Sequence, residues 1–235
     1  MPPLVCLHGW CCDAWHFDPQ VAYFSPVTEI CSIPWRSRVE ASGQEATLGL
    51  AVREIESACR EHDLGAPPVL VGHSMGGLLA ARIAAEGRLP VAGIVIIDAT
   101  YPMGDDARSQ FGDVLTRLRA DFEATTRDFF SNRLVIPQDD PGITARVIDG
   151  VMAVDPQVAI DLFADITSPG SMPPVESIDV PILGIGSSRP FLPREALLEG
   201  SARASYGQVV GSGHMIMLQV PDQLNAMLDR FLAMR

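Results

Sequence analysis

Positive charge is scarce in this chain. Of 235 residues, 17 are Lys or Arg against 29 Asp or Glu, a net charge of −12. Phosphate backbones are bound by clustered basic side chains, so the composition excludes a nucleic-acid partner. Long hydrophobic runs are also lacking, and no stretch is long enough to cross a bilayer. Met1-Pro2-Pro3 carries no basic segment ahead of its short apolar run, so no secretory signal is expected either. Cysteine is sparse. Cys6, Cys11, Cys12, Cys31 and Cys59 are five in number, scattered, and without a C-x-x-C pair. That pattern reads as reduced thiols in a cytoplasmic protein rather than a disulfide framework, a metal site or a redox pair. Internal repeats, low-complexity segments and long charge runs are absent. What is present is 47% hydrophobic and 20% charged residues, the profile of a soluble chain with a sizeable core and a length suited to one α/β domain.

Short Val- and Ile-rich runs alternate with longer helical patterns. The runs are Leu4–Leu7, Val27–Ile33, Val69–Val71, Val91–Ile97, Ile182–Ile185 and Gln208–Val210. Continuous apolar runs suit strands covered on both faces. Helical patterns lie at Glu45–Glu61, Gly76–Glu86 and Pro221–Met234. The alternation predicts an α/β fold: a mostly parallel sheet of about six strands with helices on both faces. Between Tyr101 and Pro174 no such run occurs, and amphipathic stretches such as Asp106–Phe122 and Gly142–Ala153 are separated by breakers at Asp139–Gly142 and Asp155-Pro156. More than seventy residues is long for one crossover. Residues 101–174 are therefore expected to form an inserted helical cap on a core made of 1–100 and 175–235.

The most informative stretch is Val69-Leu70-Val71-Gly72-His73-Ser74-Met75-Gly76-Gly77. A buried strand enters a G-x-S-x-G and a helix leaves it. A Ser on so tight a strand-to-helix turn is pushed out of the sheet as a nucleophile, and Gly72 and Gly76 leave the space that the turn needs. The helix N-terminus behind it favours developing negative charge, so the Met75 N–H is the first oxyanion donor expected. A Ser hydroxyl needs a base. Of five histidines, His214 is the candidate. It follows the last predicted strand in Gly211-Ser212-Gly213-His214-Met215 and precedes a helix that can anchor the loop. Near the N-terminus, Leu4–Leu7 runs into His8-Gly9-Trp10, where the Trp10 N–H is the second oxyanion donor expected. The Trp10 and Trp15 rings are read as lining the site mouth, with a purely core role as the alternative.

These pieces, Leu7-His8-Gly9-Trp10, Gly72-His73-Ser74-Met75-Gly76-Gly77 and Gly213-His214 followed by Pro221, resemble the α/β-hydrolases from end to end. The resemblance implies covalent acyl-enzyme chemistry on esters, thioesters, lactones or amides, with no cofactor or metal. It also implies a triad acid after the penultimate strand. Here that place is Gly186-Ser187-Ser188-Arg189-Pro190, and Arg189 stands where the acid is expected. Arg cannot orient an imidazolium. Asp98, at the end of Val91–Ile97, is the leading substitute, because strand ends on that edge face the site and a group of haloalkane dehalogenases resembles this chain in carrying its acid there. Glu195 is a weaker substitute, and a Ser–His dyad is the remaining possibility. The expected function is hydrolysis of a small hydrophobic ester, thioester or lactone by Ser74, His214 and Asp98. The alternatives are a carbon–carbon bond hydrolase, a cofactor-free oxygenase, or a ligand receptor with little turnover. The expected partner is a small-molecule substrate, with no nucleic acid and no membrane; the oligomeric state is not legible.

Overall fold

The computed structural model describes residues 1–234. Six strands form one sheet: β1 (Leu4–Leu7), β2 (Ile30–Ile33), β3 (Val69–His73), β4 (Gly93–Ile97), β5 (Ile182–Gly186) and β6 (Ala204–Gln208). Their order is β2-β1-β3-β4-β5-β6, and every pairing is parallel. The four central strands are buried at every residue. That explains their uninterrupted apolar sequence, since a parallel sheet is covered on both faces.

The helices are α1 (Asp18–Phe24), α2 (Trp35–Ser42), α3 (Leu48–Glu61), α4 (Met75–Glu86), α5 (Asp105–Ala120), α6 (Phe122–Asp128), α7 (Pro141–Val151), α8 (Pro156–Thr167), α9 (Arg194–Gly200), α10 (Ile216–Gln219) and α11 (Pro221–Leu232). A π-helical turn, Phe129–Arg133, follows α6. Helix α3 shows how local signals set these elements. Thr47 caps it by accepting from the Leu50 N–H at 3.0 Å, and its buried face carries Leu48, Val52, Ile55 and Cys59 at helical spacing. All four helices α5 to α8 lie between β4 and β5, in the stretch without strands.

Several boundaries differ from the sequence expectation, and one breaker takes on a capping role. Strand β6 is Ala204–Gln208, not Gln208–Val210. It is an edge strand paired only with β5, so its side chains are half-exposed and no apolar run marks it. Val210 is itself 76% exposed. The run at Val27 starts as a turn, in which the Val27 and Thr28 N–H groups donate to the Phe24 carbonyl. The breaker Asp155-Pro156 opens α8, with the Asp155 carboxylate accepting from the Gln157 and Val158 N–H groups. Among the described residues no helix is long and apolar enough to cross a membrane.

The chain leaves β1 for one side of the sheet and returns on the other, so its direction reverses between β1 and β3. In open α/β sheets the crevice beyond the C-terminal strand ends at such a point is where ligands bind. Here those ends carry His8–Trp10 and Ser74. Backbone contact closes this crevice from below. A Cβ on Gly76 would lie 2.0 Å from the Leu7 carbonyl oxygen, and one on Gly72 would lie 2.2 Å from the Gly76 carbonyl oxygen. Gly112, inside α5, has nothing within 4 Å of its Cβ position. Gly76→Ala is therefore expected to lower stability by about 3 kcal/mol. Gly112→Ala should raise it by about 0.5–1 kcal/mol. Urea unfolding midpoints of the two variants check both signs.

Candidate active site

Ser74 follows β3 and caps the start of α4 with φ 52° and ψ −121°, a conformation side chains rarely adopt. The fold holds it there. The Ser74 N–H donates to the Ile97 carbonyl at 2.8 Å, and the Ser74 carbonyl accepts from Gly77 N–H, also at 2.8 Å. Met75 is the first residue of α4, where an N–H has no acceptor within its own helix. The loop after β1 packs directly on this turn. A Cβ on Gly9 would meet His73 Nδ1 at 2.9 Å and the Ser74 Cβ at 3.1 Å. His8 stacks on Trp35 at 4.8 Å, and the Trp35 indole N–H donates to the His8 carbonyl at 3.0 Å.

Asp98 is fully buried at the end of β4 and also has a positive φ, 48°. Its Oδ2 accepts from His214 Nδ1 at 2.8 Å. Its Oδ1 accepts from the Ser187 N–H at 3.1 Å and the Phe191 N–H at 3.0 Å. Asp98 and His214 are thus brought together as the sequence suggested. An ionised carboxylate only accepts, so Nδ1 carries the hydrogen and Nε2 of the neutral ring keeps a free lone pair. The loop after β5, which carries Arg189 in place of an acid, instead supplies the two amides that grip Asp98. Arg189 itself is exposed and donates to the Val135 carbonyl. Glu195 is excluded as the partner of His214. It lies exposed in the first turn of α9, paired with Arg194 at 3.3 Å.

Ser74, His214, Asp98, Trp10 and Met75 all line one cavity of about 590 Å³, including its solvent-open mouth. Phe111, Phe129, Phe130, Phe163 and Phe191 line it too. Trp10 packs against Phe163 with ring centroids 5.0 Å apart, and its indole N–H donates to the Ala159 carbonyl at 2.8 Å. Trp15 corrects the expectation. It is not among the lining residues, because the Arg146 guanidinium covers its ring at 3.9 Å and His16 packs on it at 4.1 Å.

The sequence reading missed the groups that hold the His214 loop. The His214 N–H donates to the Leu134 carbonyl at 2.8 Å, and the Gly213 N–H donates to the Asp139 carboxylate at 2.8 Å. A Cβ on Gly213 would stand 2.5 Å from that carboxylate. The His214 ring lies 4.4 Å from His73, whose Nε2 bonds the His214 carbonyl at 3.0 Å, and 5.3 Å edge-on to Phe191. Among the described residues, no cluster of three or more His, Cys, Asp or Glu is arranged to hold a metal ion. Burial pushes the Cys12 thiol up to about 12, so it stays protonated.

The model of the alpha/beta hydrolase family matches residues 4–227, and the chain belongs to that family as a hydrolase-like enzyme. No curated protein matches the sequence. Solved structures share the fold at low identity. An enol-lactonase from Burkholderia xenovorans LB400 superposes with a TM-score of 0.85 at 18% identity, over 99% of this chain and 91% of its own. A thermophilic esterase from Thermogutta terrifontis gives 0.80 at 17%, over 99% and 90%. MenH from S. aureus gives 0.79 at 17%, over 99% and 93%.

Burial also sets the acid response of the fold. It holds His8 down to about 3 and His16 down to about 4. It keeps His73 well below the usual histidine range, and the nearby His214 lowers it further. In the unfolded chain these rings take up protons near 6.5. Unfolding therefore binds protons between about 6.5 and about 3, and stability falls as pH drops through that window. It is full above about 6.5. Urea titrations from pH 7.5 to 5 should show a loss approaching 1.4 kcal/mol per pH unit for each of the three rings. A flat profile would contradict their burial as neutral groups.

Proposed function

We propose that the chain hydrolyses a small hydrophobic carboxylic ester, thioester or lactone, with Ser74 as nucleophile, His214 as base and Asp98 as acid. Residues 101–174 act as a helical cap over the core formed by 1–100 and 175–235. The observation that carries the reading is the 2.8 Å bond from His214 Nδ1 to the buried Asp98, on the cavity that Ser74 also lines.

Nε2 of His214 takes the Ser74 proton as Oγ attacks the substrate carbonyl. The charge that develops on the carbonyl oxygen is held by the Met75 and Trp10 N–H groups. Collapse breaks the bond to the leaving group, which receives the proton from His214. Water then adds to the acyl-Ser74 by the same base, releasing the acid and restoring the hydroxyl. Asp98 keeps the imidazole in the tautomer that this requires. The five free cysteines, four of them buried, are consistent with a reducing cytoplasmic setting.

A fluorophosphonate probe should label Ser74 and block turnover of an activated ester, and Ser74→Ala should abolish both. Asp98→Asn should reduce kcat by a factor of 10³ to 10⁴ with the fold intact. A loss below tenfold would remove Asp98 from the triad. Labelling without turnover would turn the reading toward a receptor.

A further inference from the structure

The chain contains no lysine; all 17 of its basic residues are arginines. Among the described residues, none of them lines the cavity. Those placed around it are turned to other partners. Arg189 donates to the Val135 carbonyl, Arg108 to the Thr167 and Ser168 carbonyls, Arg146 lies over Trp15, and Arg36 is paired with Asp13 and Glu40. The cavity is walled by the rings of Trp10, Phe111, Phe129, Phe130, Phe163 and Phe191. The one indole donor among them is already bonded to Ala159. Apart from the proposed triad and His73, the polar side chains facing the cavity are the Thr100 hydroxyl and the neutral Cys12 thiol.

We infer that the site takes uncharged substrates whose acyl part is apolar, aryl or short alkyl, and that it rejects acyl groups bearing a carboxylate. This rests on the hydrolase reading and specifies its substrate class. A carboxylate entering this cavity would lose its water and find no cation or fork of donors in return. It would also approach the buried Asp98 carboxylate, in a protein of net charge −12. A cationic acyl group fares little better. Trp10, the best cation receptor among the rings, is itself packed against Phe130 at 6.1 Å and Phe163 at 5.0 Å. A phenylpropanoyl group matches the aromatic wall.

The test is a matched set of 4-nitrophenyl esters: hexanoate, 3-phenylpropanoate, the monoester of adipic acid, and 6-(trimethylammonio)hexanoate. The neutral pair should exceed the adipate monoester in kcat/KM by roughly 100-fold or more, and should also exceed the ammonium ester. An adipate or ammonium ester within tenfold of hexanoate would overturn the inference while leaving hydrolysis standing. Binding to Ser74→Ala, followed by tryptophan fluorescence, separates the two claims. If the fluorophosphonate fails to label the native enzyme, the hydrolase reading falls, yet 3-phenylpropanamide should still bind Ser74→Ala and adipate should not. Equal binding of the two, or tighter binding of adipate, would overturn the inference by itself.

Discussion

A buried carboxylate organises this molecule. Asp98 has no solvent contact, and burying an ionised group without partners is prohibitively costly. It is stabilised only because the His214 ring and two backbone amides, from Ser187 and Phe191, converge on it. Those donors come from the loops after β5 and β6, while the carboxylate comes from the end of β4. One side chain therefore fixes three loops on the same edge of the sheet. The positive φ at Asp98 turns the carboxylate toward them. The same backbone device recurs one strand away at Ser74, so the two residues are presented side by side by two strained strand ends.

The central strands were legible because parallel strands covered on both faces leave unbroken Val and Ile runs. β6 was not, since an edge strand with one neighbour needs no such run. The Ser74 elbow was legible because backbone closeness forces glycine at 72 and 76. Asp98 could be named from its place at a strand end once Arg189 occupied the usual acid position. Its two amide donors could not, because a backbone N–H carries no signature in side-chain identity. Asp139 escaped for a related reason: it reads as a turn-former two residues before Pro141, and nothing local discloses that its carboxylate reaches Gly213. Trp15 misled because an aromatic five residues after Trp10 fits a site wall as well as it fits a platform for Arg146.

Neutrality is the common thread between the site and its supports. Burial keeps His73, beside Ser74, and His8 and His16, in the stretch after β1, without charge, and it keeps Cys12 protonated. Charge near Ser74 is thus confined to the Asp98–His214 pair. In a low-dielectric pocket the field of that pair is little screened, which is the condition under which a single imidazole proton transfer is most effective.

The helical insert is fastened to the core on two sides of the cavity. Ala159 on α8 holds Trp10, and the segment after the π-helical turn holds Gly213 and His214 through Asp139 and Leu134. An element sewn at both margins behaves as a strap rather than a hinged door. Lifting it as one piece would break the bonds that hold the Trp10 side chain and the backbone at Gly213 and His214. What can still give way around the cavity without breaking these bonds is the set of phenylalanine side chains that line it.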